Sequence, residues 1–272
     1  MLPIQKLKRS RGVTHGYTDN FIKLCCPTKV GPTAEWHNHI EACLNRYYDG
    51  YHNGVKFCYG RSVVDARQEL IEEAVWEGVR YILFIDDDIF PPPYFIPRMF
   101  QTAFELDADV VNSVCWMKEE YSTTTFFEYA LVDGMLKPQT IGEGMFTFGG
   151  IREFDMGGFG CTLINTRLFR KMSMPYFRLG YKATEFRDSY EYRYSATAGE
   201  DFYFYAKAHE AEAKLILDCG VLCDHYDILS DTFYPDQGIV ELFTKSKDRR
   251  FHELDNRPEW FLLSEVEKNV EK

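Results

Sequence analysis

The chain has 272 residues, 45% of them hydrophobic and 27% charged, which is the balance of an ordinary globular protein long enough to bury a sizeable core. Its net charge of −11 argues against a nucleic-acid partner, because phosphate backbones demand clustered Lys and Arg. Only the start is basic, with Lys6, Lys8, Arg9 and Arg11; it lacks the apolar run of a signal peptide, and nowhere do roughly 18 apolar residues follow one another, so the expectation is a cytoplasmic protein with no transmembrane segment whose basic end can touch an anionic membrane surface.

Three regions are expected: a basic, flexible terminus over 1–20, a main domain over 21–230, and a polar appendage over 231–272, rich in Glu, Lys and Asp and carrying Pro235 and Pro258. Residues 21–26 read as a strand closed by Pro27 and Thr28, 34–48 as a helix and 55–59 as the next strand. Gly60, Arg61 and Ser62 then open a helix with Ser62 as N-cap, in which Val63, Ala66, Leu70, Ile71, Ala74 and Val75 recur at helical spacing. A strand over 80–85, a helix over 94–106 and a strand over 109–114 complete successive β-α-β crossovers, which imply a mostly parallel sheet.

The strand before residue 86 carries the strongest signal. Tyr81-Ile-Leu-Phe-Ile85 has the apolar and β-branched content of a strand buried on both faces, and it runs straight into Asp86-Asp87-Asp88, with Pro91, Pro92 and Pro93 soon after. The three carboxylates therefore sit at the carboxyl edge of the sheet, where ligands bind in open α/β folds. Alternate residues of an extended chain point the same way, so Asp86 and Asp88 can converge, and two oxygen ligands suit Mg2+ or Mn2+.

Beyond Trp116 the texture changes to short aromatic and Thr-rich runs broken by Asp133-Gly134 and Gly142-Glu143-Gly144, signals of hairpins laid beside the sheet. Gly157, Gly158 and Gly160 lead into an apolar run over 161–164, Thr166 is expected to cap a short helix reaching Met172, and a polar, aromatic loop covers 176–198. Gly199-Glu200-Asp201 starts a helix with Phe202, Tyr205 and Ala208 on one face; a strand over 214–217 and a turn over 219–226 close the core. The eight cysteines lie mostly inside apolar runs, as small core residues do. Cys219, Cys223 and His225 have the short spacing of zinc ligands, yet no neighbouring Cys or His pair completes a set of four.

Taken in order, Ala66-Arg67, Asp86-Asp87-Asp88, Gly158-Phe159-Gly160, Gly199-Glu200-Asp201 and Asp224-His225 resemble the motif series of the GT-A glycosyltransferases, most closely the family-two-like members, over roughly residues 20–228. The resemblance implies an α/β fold of the GT-A, Rossmann-like kind: a mostly parallel central sheet flanked by helices, with a hairpin-rich region on the acceptor side. It implies a nucleotide-sugar donor and a divalent cation, Mn2+ or Mg2+, held by Asp86, Asp88 and His225, which as a Lewis acid steadies the departing nucleoside diphosphate. It also implies that Asp201 is the general base of an inverting transfer to an acceptor hydroxyl, with Glu200 orienting the acceptor. Pro27, Thr28, Arg67 and Asp87 fall to the donor, and Trp116 and Gly158 to the sugar or acceptor, a glycan, lipid-linked or protein molecule. Competing accounts stand beside these: acidic residues at any helix start meet the macrodipole, Arg67 can form a plain salt bridge, and a Trp is commonly buried.

Other readings differ in what they expect. An aspartyl-phosphate hydrolase expects Thr or Val where this chain has Phe90. A sugar nucleotidyltransferase shares the fold and metal but expects a Gly-rich basic loop where Cys26-Pro-Thr-Lys-Val-Gly31 stands. A non-catalytic carbohydrate-binding protein on the same fold remains the alternative from outside enzymes.

Overall fold

The computed structural model describes residues 22–48, 54–118, 123–132, 135–141, 149–179 and 199–234. The expected basic terminus, the turns at 133–134 and 142–144, most of the 176–198 loop, and the chain from Pro235 onward lie outside the described residues.

In chain order the elements are β1 (Ile22–Thr28), α1 (Ala34–Tyr48), β2 (Val55–Tyr59), α2 (Val63–Trp76), β3 (Tyr81–Ile85), β4 (Ile89–Phe90), α3 (Phe95–Glu105) and β5 (Val110–Val114). There follow β6 (Phe126–Val132), β7 (Met135–Thr140), β8 (Ile151–Glu153), β9 (Met156–Gly157), β10 (Cys161–Asn165), a 3-10 turn (Thr166–Arg170), α4 (Glu200–Glu210), β11 (Leu215–Leu222), β12 (Asp224–Asp227) and β13 (Thr232–Tyr234). Seven strands form the central sheet in the order β2-β1-β3-β10-β5-β11-β8. β1 pairs in parallel with β2 and β3, and β11 with β5, whereas β10 lies antiparallel between β3 and β5 and β8 antiparallel to β11. Two small antiparallel sheets, β13-β12-β4 and β7-β6-β9, stand beside it. The architecture is thus a mostly parallel sheet flanked by helices and supplemented by hairpins.

All five side chains of β3 are buried, and so are those of β10 and β5 next along the sheet; β3 reads as an unbroken apolar run, while β5 and β10 also bury Asn112, Ser113, Thr162 and Asn165. α2 begins where Ser62 Oγ accepts from Asp65 N, and it buries Ala66, Arg67, Leu70, Ile71 and Ala74. Burial of one such aliphatic side chain is worth about 1.5–3 kcal/mol. Much of the aromatic content also sinks inward: Phe159 stands 5.4 Å from Phe84, 4.8 Å from Phe204 and 5.1 Å from Phe177, ring centre to ring centre. All eight cysteines are buried free thiols.

Two local expectations give way. The short helix after β10 is capped by Asn165, whose side chain accepts from Arg167 N, while Thr166 donates its hydroxyl to the Val79 carbonyl at 2.5 Å and more distantly to that of Arg80 at 3.1 Å. The strand expected to end at 217 continues as β11 to Leu222, through Asp218, because that fully buried carboxylate is taken up by Arg98 Nε at 2.9 Å, Thr102 Oγ1 at 2.5 Å and Gly220 N at 2.9 Å. An acidic residue reads as a strand end only when nothing inside the fold meets its charge.

Candidate functional site

The turn after β3 is fixed through its backbone. Asp86 N donates to Gly160 O at 2.8 Å, Ile89 N to Asp86 O at 3.1 Å, and Tyr226 N to Asp88 O at 2.8 Å. The indole of Trp36, fully buried on α1, donates to both Asp86 O at 3.0 Å and Ile89 O at 2.9 Å. With the main chain held this way, the three aspartates send their side chains to three different partners.

Asp86 turns to Arg67, whose Nη2 lies 3.2 and 3.0 Å from its two oxygens. The same guanidinium donates through Nη1 to Glu200 Oε1 at 3.0 Å and to Asp201 Oδ1, so α2 is tied to the start of α4. Arg67 has 3% of its side chain exposed and stacks over Phe159 at 4.9 Å and Phe177 at 5.8 Å. Burial works to discharge it, but the charges of Asp201, Asp86 and Glu200 prevail and keep it a cation. One cation faces three carboxylates, so negative charge remains in excess. Burial raises Asp86 above the usual carboxylate range with Asp88 adding to the effect, and Arg67 opposes both. Asp201 is pushed up to about 7, by burial first and then by Glu200 and Asp86, against the pull of Arg67.

Asp87 turns the other way and accepts from the Thr28 hydroxyl, which itself accepts from Gly31 N at 2.9 Å. Burial lifts its pKa too, with Thr28 opposing. Between the ends of β1, β2 and β3 opens a cleft of about 610 Å³, lined by Pro27, Thr28 and Lys29, by Gly60, Arg61 and Ser62, and by the three aspartates. Pro27, Thr28 and Asp87 thus line one cleft at the carboxyl edge of the sheet, whereas Arg67 does not line it.

Asp88 faces His225. Oδ2 lies 3.2 Å from Nε2 of His225 and 2.6 Å from Nζ of Lys118. Burial tends to raise Asp88, but His225 and Lys118 together bring it below its ordinary value. Burial likewise depresses His225, and the hydrogen bond and charge of Asp88 more than reverse this. His225 Nδ1 is 2.6 Å from the carbonyl of Trp116, and a carbonyl can only accept. Nδ1 therefore carries the hydrogen, and Nε2 of the neutral ring directs its lone pair at a carboxylate oxygen. Two lone pairs facing each other at this distance need a proton or a metal cation between them. The donor set thus fits a hard or borderline divalent ion, with the imidazole oriented by its second nitrogen. Among the described residues no group of three His, Cys, Asp or Glu side chains gathers at one point, because Asp86 is held by Arg67.

Packing accounts for the placement of Trp116 and Gly158. Trp116 is 1% exposed, so its ring offers no face to a sugar; it is held as a core aromatic whose carbonyl orients His225. Gly158 is half-buried, its carbonyl accepts from Asn112 Nδ2 at 2.9 Å, and a Cβ there would come within 2.9 Å of Thr125 Oγ1, so the lack of a side chain answers a contact inside the protein. Conversely, Lys118, Trp36, Lys29 and Arg61 take part in the site without having been expected there. Lys29 directly follows the end of β1 and Arg61 lies two residues past the end of β2, so both were legible from the sequence; the indole of Trp36 is brought in by tertiary packing from 50 residues away.

No protein-family model matches the chain, and no curated protein does. Among solved structures it is similar to the protein A197 from STIV, with a TM-score of 0.51, 15% identity, and 76% of this chain and 86% of that chain covered. The likeness is one of fold. A second solved structure, GalNAc-T7 with UDP, GalNAc and Mn2+, aligns with a TM-score of 0.44 at 11% identity, covering 77% of this chain and 44% of that one.

Proposed function

We propose that this protein is a metal-dependent glycosyltransferase that moves a sugar from a nucleoside-diphosphate donor to an acceptor hydroxyl with inversion. The observation that carries the reading is the pairing of Asp88 Oδ2, which lines the cleft, with His225 Nε2 across 3.2 Å, with Asp201 on the other arm of Arg67. Asp88 and His225 would hold the cation, and Asp86 joins them only by leaving Arg67. When bound, that ion supplies Lewis-acid stabilisation of the charge that grows on the diphosphate. The cleft walls at Pro27, Thr28 and Asp87 take the nucleoside, and Lys29 and Arg61 face the excess negative charge of the donor. Arg67 positions Asp86, Glu200 and Asp201 relative to one another rather than touching the donor. Asp201 removes the acceptor proton; a carboxylate whose pKa lies at about 7 is matched to that task at neutral pH.

A sugar nucleotidyltransferase would use the same carboxyl edge and a metal, and differs in consuming a nucleoside triphosphate. The test is thermal stability against nucleoside diphosphates, triphosphates and nucleotide sugars, with and without Mn2+, for the parent and Asp88→Ala. At a hundredfold excess over Kd, a ligand specific for the native state adds about 2.7 kcal/mol. A Mn2+-dependent shift for one diphosphate family, lost in Asp88→Ala, is the expected result. Triphosphate preference would favour the nucleotidyltransferase, and a Mn2+-independent shift or none at all would sink the proposal.

A further inference from the structure

Asp88 Oδ2 serves two groups at once, His225 Nε2 at 3.2 Å and the Lys118 ammonium at 2.6 Å. Lys118 has 30% of its side chain exposed and Asp88 35%, so the ion pair is solvated and of the weak kind. We infer that Lys118 is a built-in counter-cation of the metal site: it occupies Asp88 in the absence of a divalent ion, yields that oxygen when the ion arrives, and then serves the diphosphate. This rests on the reading of Asp88 and His225 as cation ligands given above.

The physical grounds are charge and reach. A divalent ion and an ammonium on one carboxylate oxygen repel each other, so Lys118 competes with the ion while it remains on Asp88. The ammonium sits on a flexible four-carbon stem and binds as a point charge with three donors, so it can move to a neighbouring anion without matching a fixed geometry. Among the described residues Asp227 also feels the charge of Lys118, and it already accepts from Ser230 Oγ at 2.7 Å and Leu229 N at 3.1 Å. Asp86 is taken by Arg67. The diphosphate oxygens beside the ion are therefore the natural new partner.

The inference demands effects of opposite sign from one substitution. In Lys118→Met the competitor is gone, so Mn2+ alone, followed by the resonance signal of free Mn2+, should bind at least about threefold tighter than to the parent. Inorganic pyrophosphate titrated calorimetrically into the Mn2+-saturated protein should bind at least about threefold more weakly. Lys118→Arg keeps the charge and should stay near the parent in both titrations. A lysine with a purely structural role would weaken both. Equal or weaker Mn2+ binding in Lys118→Met overturns the inference while leaving the metal site standing. Tighter Mn2+ binding with unchanged pyrophosphate binding overturns the second role. Failure of Mn2+ to bind any of the three proteins overturns both the inference and the reading of the site on which it rests.

Discussion

Asp201 stands at the first turn of α4 with its proton poised near neutrality, and it draws that property from burial rather than from its sequence neighbours alone. Its pKa of about 7 lies above the ordinary 3.8, so the basic form that accepts a proton prevails only above that value. The rate of transfer, measured as kcat/KM, should therefore climb about tenfold per pH unit on the acid side and level off above about pH 7; a profile flat from pH 5 to 8 would exclude Asp201 as the base. Asp201→Asn should lower kcat by about 10²–10⁴-fold while the donor binds within about twofold of the parent. Weakened donor binding with normal turnover would show instead that the residue serves the nucleotide. At this scale the sequence identified residue types but not partners. Asp86, Asp87 and Asp88 are adjacent, yet they face Arg67, Thr28 and His225, which lie 19, 59 and 137 positions away along the chain.

β3 and β10 show how two elements make one edge of the site. β10 pairs antiparallel with β3, and the carbonyl of Gly160, just before it, receives the amide of Asp86, just after β3. A Cβ on Gly160 would lie 2.9 Å from Ile89 and 3.1 Å from Cys115 Sγ, so the close approach needs glycine for lack of space. Gly160→Ala should cost about 1–3 kcal/mol of stability through overpacking. Because Ile89 is one residue beyond Asp88, the strain should also weaken Mn2+ binding. Urea titration and Mn2+ titration of the same variant check the two halves; an unchanged urea midpoint would mean that the turn yields freely. Element existence was legible here: the expected strand over 80–85 appears as Tyr81–Ile85 and the helix over 94–106 as Phe95–Glu105. Long apolar runs and helical spacing survive tertiary context well. Neighbour relations were not legible, because the sequence does not say that β10, from beyond the hairpins, inserts between β3 and β5.

Across the whole described molecule one apolar core runs unbroken from Leu24 in β1 to Cys223 just beyond β11 and includes residues of all four helices. A single contiguous core predicts a single unfolding event, with intrinsic Trp fluorescence and far-ultraviolet circular dichroism giving one coincident urea transition. Two separated transitions would show that the sheet divides into independent units. The sequence by itself determined the α/β class, the buried β3 and the acidic edge on which it ends, since hydrophobic period and strand-breaking prolines act locally and leave a local record. It also supplied the ordered set of acidic, arginine and histidine residues proposed to bear the chemistry. Only the tertiary structure decided which of them meet: that Arg67 gathers three carboxylates, that His225 turns its free nitrogen to Asp88, that Lys118 joins them, and that Trp116 is buried. Those choices depend on distance in space and on the cost of leaving buried charge unpaired, and neither is written in the spacing of residues along the chain.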